Sequence, residues 1–192
     1  MKIVFATNNP HKLGEARNIA GDSIEILSLA DIGCTEELPE TCDSIEGNSL
    51  QKAEYVFRHY GLDCFSDDTG LFVDALDGAP GVMSARFAGT PVSSEANMQK
   101  LLALMEGKEN RDARFRTVVS LCRSGEKPMQ FEGRVEGSIA AVPNGAGGFG
   151  YDPVFIARES GISFAEMTSE EKNAISHRGR ALRKMFDSLL NK

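Results

Sequence analysis

Asp67 and Asp68 stand side by side in Ser66-Asp67-Asp68-Thr69-Gly70, directly after the short run Leu62-Asp63-Cys64-Phe65. In a regular strand, neighbouring side chains point to opposite faces. At a strand's end, where Gly70 frees the backbone, both carboxylates can turn toward one pocket. A pair placed there is suited to holding a hard cation such as Mg²⁺ or to taking a proton from water. A solvated turn is the plainer alternative, because Asp, Thr and Gly are ordinary turn formers.

Three further stretches could carry chemistry. Thr7-Asn8-Asn9-Pro10-His11-Lys12 joins a strand to a helix N-terminus, where backbone N–H groups and the Lys12 charge suit phosphate. It lacks the spacing of a Walker A loop, and a plain connection with a surface lysine is the alternative. Gly145-Ala146-Gly147-Gly148-Phe149-Gly150-Tyr151-Asp152-Pro153 permits close backbone approach to a ligand, with Phe149 and Tyr151 available to stack on a base or to plug the core. Lys172 and Ser176-His177-Arg178-Gly179 gather cationic and donor groups near a helix, although a basic helix face is more often only solvated. A Ser/His/Asp triad is not arguable, since none of the three histidines has a nucleophile-elbow context. The aspartates also lack the D-x-D-x-T spacing of an aspartyl-phosphate enzyme.

The elements that must position these groups read as mixed α/β. Lys2–Ala6 and Ser23–Leu27 are β-rich, and Pro10 opens a helix over His11–Ala20. Leu29–Ser44 reads as a loop. Asn48 is placed to cap a helix from Ser49 to about Tyr60. A strand over Leu62–Ser66 leads to the aspartate turn, and Leu71–Val73 enters a possible hairpin. Ser93 or Ser94 caps a helix carrying Met98, Leu101, Leu102, Leu104 and Met105. Arg114–Cys122 and Gln130–Ile139 read as paired strands, and Pro153–Ile156 as a short one. Thr168-x-x-Glu171 is a capping box that starts one final helical region, continued by Leu182, Met185, Phe186, Leu189 and Leu190.

Composition narrows the classes. A chain of 192 residues, 41% hydrophobic and 26% charged, fits one soluble domain. No run suits a membrane span or a signal peptide, so a cytoplasmic location is expected. Cys34, Cys42, Cys64 and Cys122 lack the spacing of a zinc or redox site, which predicts free thiols. A net charge of −7 disfavours a nucleic-acid partner but leaves room for one nucleotide.

Ala6-Thr7-Asn8-Asn9-x-x-Lys12, Ser66 to Gly70, Gly81-x-x-Ser84-Ala85-Arg86, Gly148-Phe149-Gly150-Tyr151-Asp152-Pro153-x-Phe155 and Glu171-Lys172-Asn173-x-x-Ser176-His177-Arg178-Gly179 occur in that order. Together they resemble the inosine triphosphate pyrophosphatase family, house-cleaning enzymes for deaminated purine nucleotides. The resemblance implies an elongated mixed β-sheet flanked by helices, with two lobes and a central cleft, residues 1–192 forming a single domain. It also implies a homodimer and Mg²⁺-dependent hydrolysis of ITP, dITP or XTP to the monophosphate and diphosphate. By its motifs, Asp68 would be proton acceptor and metal ligand with Asp67 beside it, and Glu40 a second metal carboxylate. Thr7, Asn8, Asn9 and Lys12 would hold phosphates, with Lys52 assisting and Thr69 also touching substrate. Phe149, Gly150, Tyr151, Asp152, Lys172, His177 and Arg178 would hold base and sugar. Donors from His177, Arg178 or nearby backbone N–H groups would meet the purine C6 oxygen and leave the adenine amino group unpaired. One departure stands out: many members carry two acids before the residue matching Asn48, and here the second is Gly47. The rival readings are a Maf-type pyrophosphatase for modified pyrimidine nucleotides and a nucleotide-binding regulator that does not hydrolyse its ligand.

Overall fold

The structure, a computed structural model, describes residues 1–190. Its strands are β1 (Lys2–Phe5), β2 (Glu25–Leu27), β3 (Cys64–Val73), β4 (Pro80–Gly81), β5 (Asp112–Cys122), β6 (Met129–Ile139) and β7 (Phe155–Ala157). Its α-helices are α1 (Pro10–Ala20), α2 (Ile45–Tyr60), α3 (Ser94–Leu104), α4 (Ser169–Ile175) and α5 (His177–Leu190). The strands hydrogen-bond in the order β2-β1-β3-β5-β6-β7, with β4 on β3. The sheet is mixed: β1 runs parallel to β2 and β3, while β3–β4 and β6–β7 are antiparallel. Among the described residues no helix is long and apolar enough to cross a membrane.

The chain forms two compact units. The first comprises Met1–Asp68, Thr117–Gly133 and the segment from Arg178 onward. Alternation along β1 divides its core between two faces. Ile3 and Phe5 join Phe65, Val119 and Leu121 beneath Ala16 and Ala20 of α1 and Leu182, Met185 and Phe186 of α5. Val4 and Ala6 join Cys64 and Cys122 against Ala53 and Val56 of α2. Parallel strands covered by helices on both faces are the expected solution when crossovers are helical. Gly61 ends α2 in a left-handed conformation (φ 65°), its N–H returning to the Phe57 carbonyl. The second unit comprises Thr69–Arg116 and Arg134–His177. Its core packs Leu71, Val73, Leu101, Met105, Phe115, Phe155 and Phe164 around buried Tyr151.

Four sequence expectations change. The aspartates do not sit in a turn: β3 runs unbroken through them to Val73. Gly70 serves close approach, because a Cβ there would lie 2.8 Å from the Gly81 carbonyl oxygen of β4. Helix α2 starts one turn early, capped by Ser44, whose hydroxyl accepts from the Gly47 N–H. Asn48 lies inside that helix, and its side-chain oxygen accepts from the Cys42 N–H at 2.9 Å. The C-terminal region is two helices, because Ser176 is extended (ψ 155°) and ends α4 behind its Thr168–Glu171 capping box. The short strand after Pro153 begins at Phe155, since Asp152–Val154 forms a 3₁₀ turn. All four cysteines are free thiols.

Phe65 is fully buried, stacked on Phe5 at 4.4 Å and edge-on to Phe186 at 6.1 Å. Phe65→Ala is expected to cost about 3–5 kcal/mol of stability, read from urea unfolding.

Candidate active site

In the first unit, β3 carries Asp67 and Asp68 on opposite sides of one strand, and their neighbours differ accordingly. The Asp67 side chain has 0% exposure. Its Oδ1 accepts from Lys12 Nζ at 3.0 Å and its Oδ2 from Arg178 Nε at 2.9 Å. Arg178, 2% exposed, also donates from Nη1 to Glu15 Oε2 at 2.6 Å. Asp68 is partly open, and its Oδ1 lies 3.9 Å from Lys52 Nζ. Lys52 donates to Glu40 Oε1 at 2.5 Å and to the Asp67 carbonyl oxygen at 2.9 Å. One ammonium therefore lies within ion-pair range of both Glu40 and Asp68.

The register of α2 on β3 is set one residue before the pair. Ser49 Oγ donates to the Ser66 carbonyl at 3.1 Å, and Ser66 Oγ donates to the Ser49 carbonyl at 2.8 Å. Both serines are fully buried. Lys52 follows Ser49 by three positions, so this reciprocal bond delivers the ammonium to the backbone and side chains of Asp67 and Asp68.

Burial is the largest single cause of the shifts of Asp67, Asp68, Lys12 and Arg178, and charged partners reverse its direction at Asp67 and Arg178. Burial pushes Asp67 up, but Lys12, Arg178 and Lys52 together hold its carboxyl well below the usual range. Burial likewise raises Asp68, where Glu40 and Asp67 add to it against the pull of Lys52 and Lys12, and the net direction is up. Lys12 is lowered, chiefly by burial; Asp67 opposes the shift, and Lys52 and Arg178 add to it. For Arg178 burial opposes the charge, yet Asp67 and Glu15 raise its value. Asp67 is thus held as an anion, whereas the value of Asp68 is raised.

The phosphate stretch is pre-committed in part. Asn9 caps α1, its Oδ1 accepting from the N–H groups of His11 at 2.9 Å and Lys12 at 3.3 Å. Those two donors, expected at an anion, are taken. The Thr7 hydroxyl accepts from the Asn9 N–H at 3.2 Å, and Asn8 is exposed.

In the second unit the glycine loop is pinned by Asp152. Its Oδ2 accepts from the Phe149 N–H at 2.8 Å and from Lys172 Nζ at 2.7 Å. A Cβ on Gly148 would collide with that carboxylate, so the loop closes only around glycine. Lys172 Nζ also lies 4.6 Å from the centre of the half-buried Phe149 ring. Tyr151 takes the core role: it is 5% exposed, donates its hydroxyl to the Ser84 carbonyl at 2.9 Å, and burial pushes its phenol up. His177 is buried in the same way, stacked on Phe115 at 4.5 Å. Thr69 and Gly150 are half-buried.

Of the sequence-derived residues, Lys12, Lys52, Asp67, Asp68, Glu40 and Arg178 come together in the first unit. Phe149, Asp152 and Lys172 come together in the second. Of the two aromatic roles open to Tyr151, the structure shows the core-filling one. The Arg178 guanidinium is bonded to Asp67 and Glu15. Sequence reasoning missed Glu15. Its only signal was the three-residue spacing from Lys12, which places both on one face of α1.

A profile of the Ham1 family matches residues 3–188, and the chain belongs to that family. A dITP/XTP pyrophosphatase of Porphyromonas gingivalis is 55% identical over 98% of this chain and 97% of its own length. A HAM1 protein structure from Coxiella burnetii superposes with TM-score 0.91 at 34% identity, covering 100% of each chain. A structure titled nucleoside-triphosphatase / dITP/XTP pyrophosphatase from Mycobacterium abscessus gives 0.77 at 45% identity over 96% of this chain and 98% of its own.

Asp67→Asn should cost about 3–5 kcal/mol at neutral pH, because it breaks a buried pair on two cations. The sign of the pH dependence follows from the lowered value. The Asp67 contribution is complete above the ordinary carboxylate range near pH ~4 and is lost as pH falls toward the folded value. Urea unfolding of both proteins from neutral to acid pH should therefore show their stability gap shrinking only below about pH 5.

Proposed function

We propose that this chain hydrolyses non-standard purine nucleoside triphosphates, of the dITP, XTP and ITP class, to the monophosphate and diphosphate. The observation that carries the reading is the convergence of Asp68 and Glu40 on one cation, Lys52, in a chain of the Ham1 family. The names of its full-length relatives support the substrate class. The same reading takes the two units as lobes of one catalytic domain, and expects a homodimer working in the cytoplasm.

Mg²⁺ fits the donor set. Glu40 and Asp68 are hard oxygen ligands, and among the described residues no group of three or more His, Cys, Asp or Glu could hold a metal alone. Mg²⁺ is usually held by one or two carboxylates with waters and substrate phosphates. The charge balance points the same way: Glu15, Glu40, Asp67 and Asp68 outnumber Lys12, Lys52 and Arg178 by one, so these cations alone do not offset a triphosphate. When bound, the ion would supply Lewis-acid stabilisation of phosphate charge.

The chain's own residues then act as follows. Asp68, with its raised value, orients a water and takes its proton as the oxygen attacks the α-phosphorus; the bond to the diphosphate oxygen breaks. Lys12 and Lys52 stand near the charge that leaves. Asp67 does not compete for the proton, because its lone pairs are held by Lys12 and Arg178. Phe149, faced by Lys172, is the ring that would stack a purine.

Diphosphate release from ITP, XTP, dITP, GTP, ATP and a pyrimidine triphosphate, with Mg²⁺ and with chelator, tests the reading. Turnover of the first three with Mg²⁺ is expected, and none with chelator; no hydrolysis of any would sink it. Asp68→Asn should remove nearly all turnover, with the circular dichroism spectrum unchanged. Arg178→Ala should lower kcat/KM for ITP and ATP by a similar factor, since its partners are Asp67 and Glu15. A changed ITP-to-ATP ratio would instead return Arg178 to reading the base.

A further inference from the structure

Glu40 sits in the loop that precedes α2, and that loop is fastened to the helix at three consecutive points. Gln51 Oε1 accepts from the Thr41 N–H at 2.9 Å, and Gln51 Nε2 donates to Thr41 Oγ1 at 2.8 Å. The amide of one side chain thus bonds both the peptide and the hydroxyl of the residue next to Glu40. Asn48 accepts from the Cys42 N–H at 2.9 Å. Cys42 itself lies on the bare backbone of Gly47: a Cβ there would be 2.7 Å from Cys42 Cβ and 3.0 Å from its Sγ. Asn48, Gln51 and Lys52 are spaced by three and four residues and share one helical face, which meets Cys42, Thr41 and Glu40 in turn. The far end of the loop is tied as well, by the Tyr60 hydroxyl donating to Glu36 Oε2 at 2.7 Å.

We propose that Gln51 is a positioning residue whose amide holds the Thr41 peptide, and with it the Glu40 carboxylate, in place for a divalent cation. The inference rests on the reading of Glu40 as a metal ligand. Gly47 is the second part of the device, since any side chain there would lift Cys42 and the loop off α2. The loop has no regular secondary structure from Cys34 to Asp43, so these side-chain bonds replace the ladder that would otherwise fix a ligand on a strand or helix.

The test uses the full chain. In Gln51→Ala, hydrogen exchange at the Thr41 amide, measured without metal or nucleotide, should accelerate at least tenfold. The Mg²⁺ concentration for half-maximal diphosphate release should rise about 10- to 100-fold, the usual effect of removing a group that orients a ligand. KM for ITP at saturating Mg²⁺ should stay near wild type, as should the thermal midpoint. Thr41→Val, which keeps the hydrogen bond from the residue 41 N–H to Gln51 Oε1 and loses the hydroxyl bond, should shift the Mg²⁺ requirement in the same direction by less. Faster exchange at Thr41 with an unchanged Mg²⁺ requirement overturns the proposal, and so does unchanged exchange. Glu40→Gln separates the two levels. A raised Mg²⁺ requirement there but not in Gln51→Ala rejects the positioning role alone, whereas an unchanged requirement in Glu40→Gln rejects the ligand reading beneath it.

Discussion

A carboxylate with no exposure to water has to be charged and paired, or neutral, and Asp67 is charged and paired twice. Its two oxygens receive Lys12 from α1 and Arg178 from the start of α5, and Arg178 passes the constraint back to α1 through Glu15. Two helices distant in sequence, α1 and α5, are tied to one strand position. Either cation, moving away, would give up one of the two charged hydrogen bonds to the buried Asp67, so both are held in place without a ligand. Asp68, one residue on, points the other way and inherits a prepared field: Lys52 in front, Glu40 beyond it, and burial enough to raise its value.

The division of labour between the aspartates follows from strand geometry. Adjacent residues on a strand face opposite sides, and here one side is the dry helix-packed layer and the other is partly open. The pair looked alike in sequence. In the fold one is a buried anion held by two cations, and the other is a less buried carboxylate with a raised value. Helix α2 serves the second face as Asp67 serves the first. The Ser49–Ser66 exchange fixes it on β3, and Lys52, Gln51 and Asn48 then present themselves to the loop carrying Glu40.

Much of this was readable from residue types, and the parts that were not have specific causes. The strand–loop–helix start, the capping box at Thr168 and the identity of the charged residues were all local signals. The turn assigned to Ser66–Gly70 failed because Gly70 was read for its backbone freedom, whereas its use is a missing Cβ against β4. Asn48 was read as a cap because Asn at a helix start usually is one. Its oxygen is bonded instead to Cys42, and only the tertiary path of the loop reveals that. Tyr151 and Phe149 are two residues apart in one glycine loop, and residue type alone could not separate the ring that fills the core from the ring that remains half-open. Glu15 and Gln51 were silent, since a Glu and a Gln on amphipathic helices are ordinary surface residues until something is seen to bond them.

Gly47 shows how a departure in sequence can be structurally closed. An acid at this position would add negative charge near Glu40, and its absence suggests a poorer cation site. The space a side chain would need is filled by Cys42, and that contact is part of what lays the Glu40 loop on α2. An ion that keeps most of its water and takes phosphate oxygens as ligands needs few protein carboxylates, but it needs those few in fixed places.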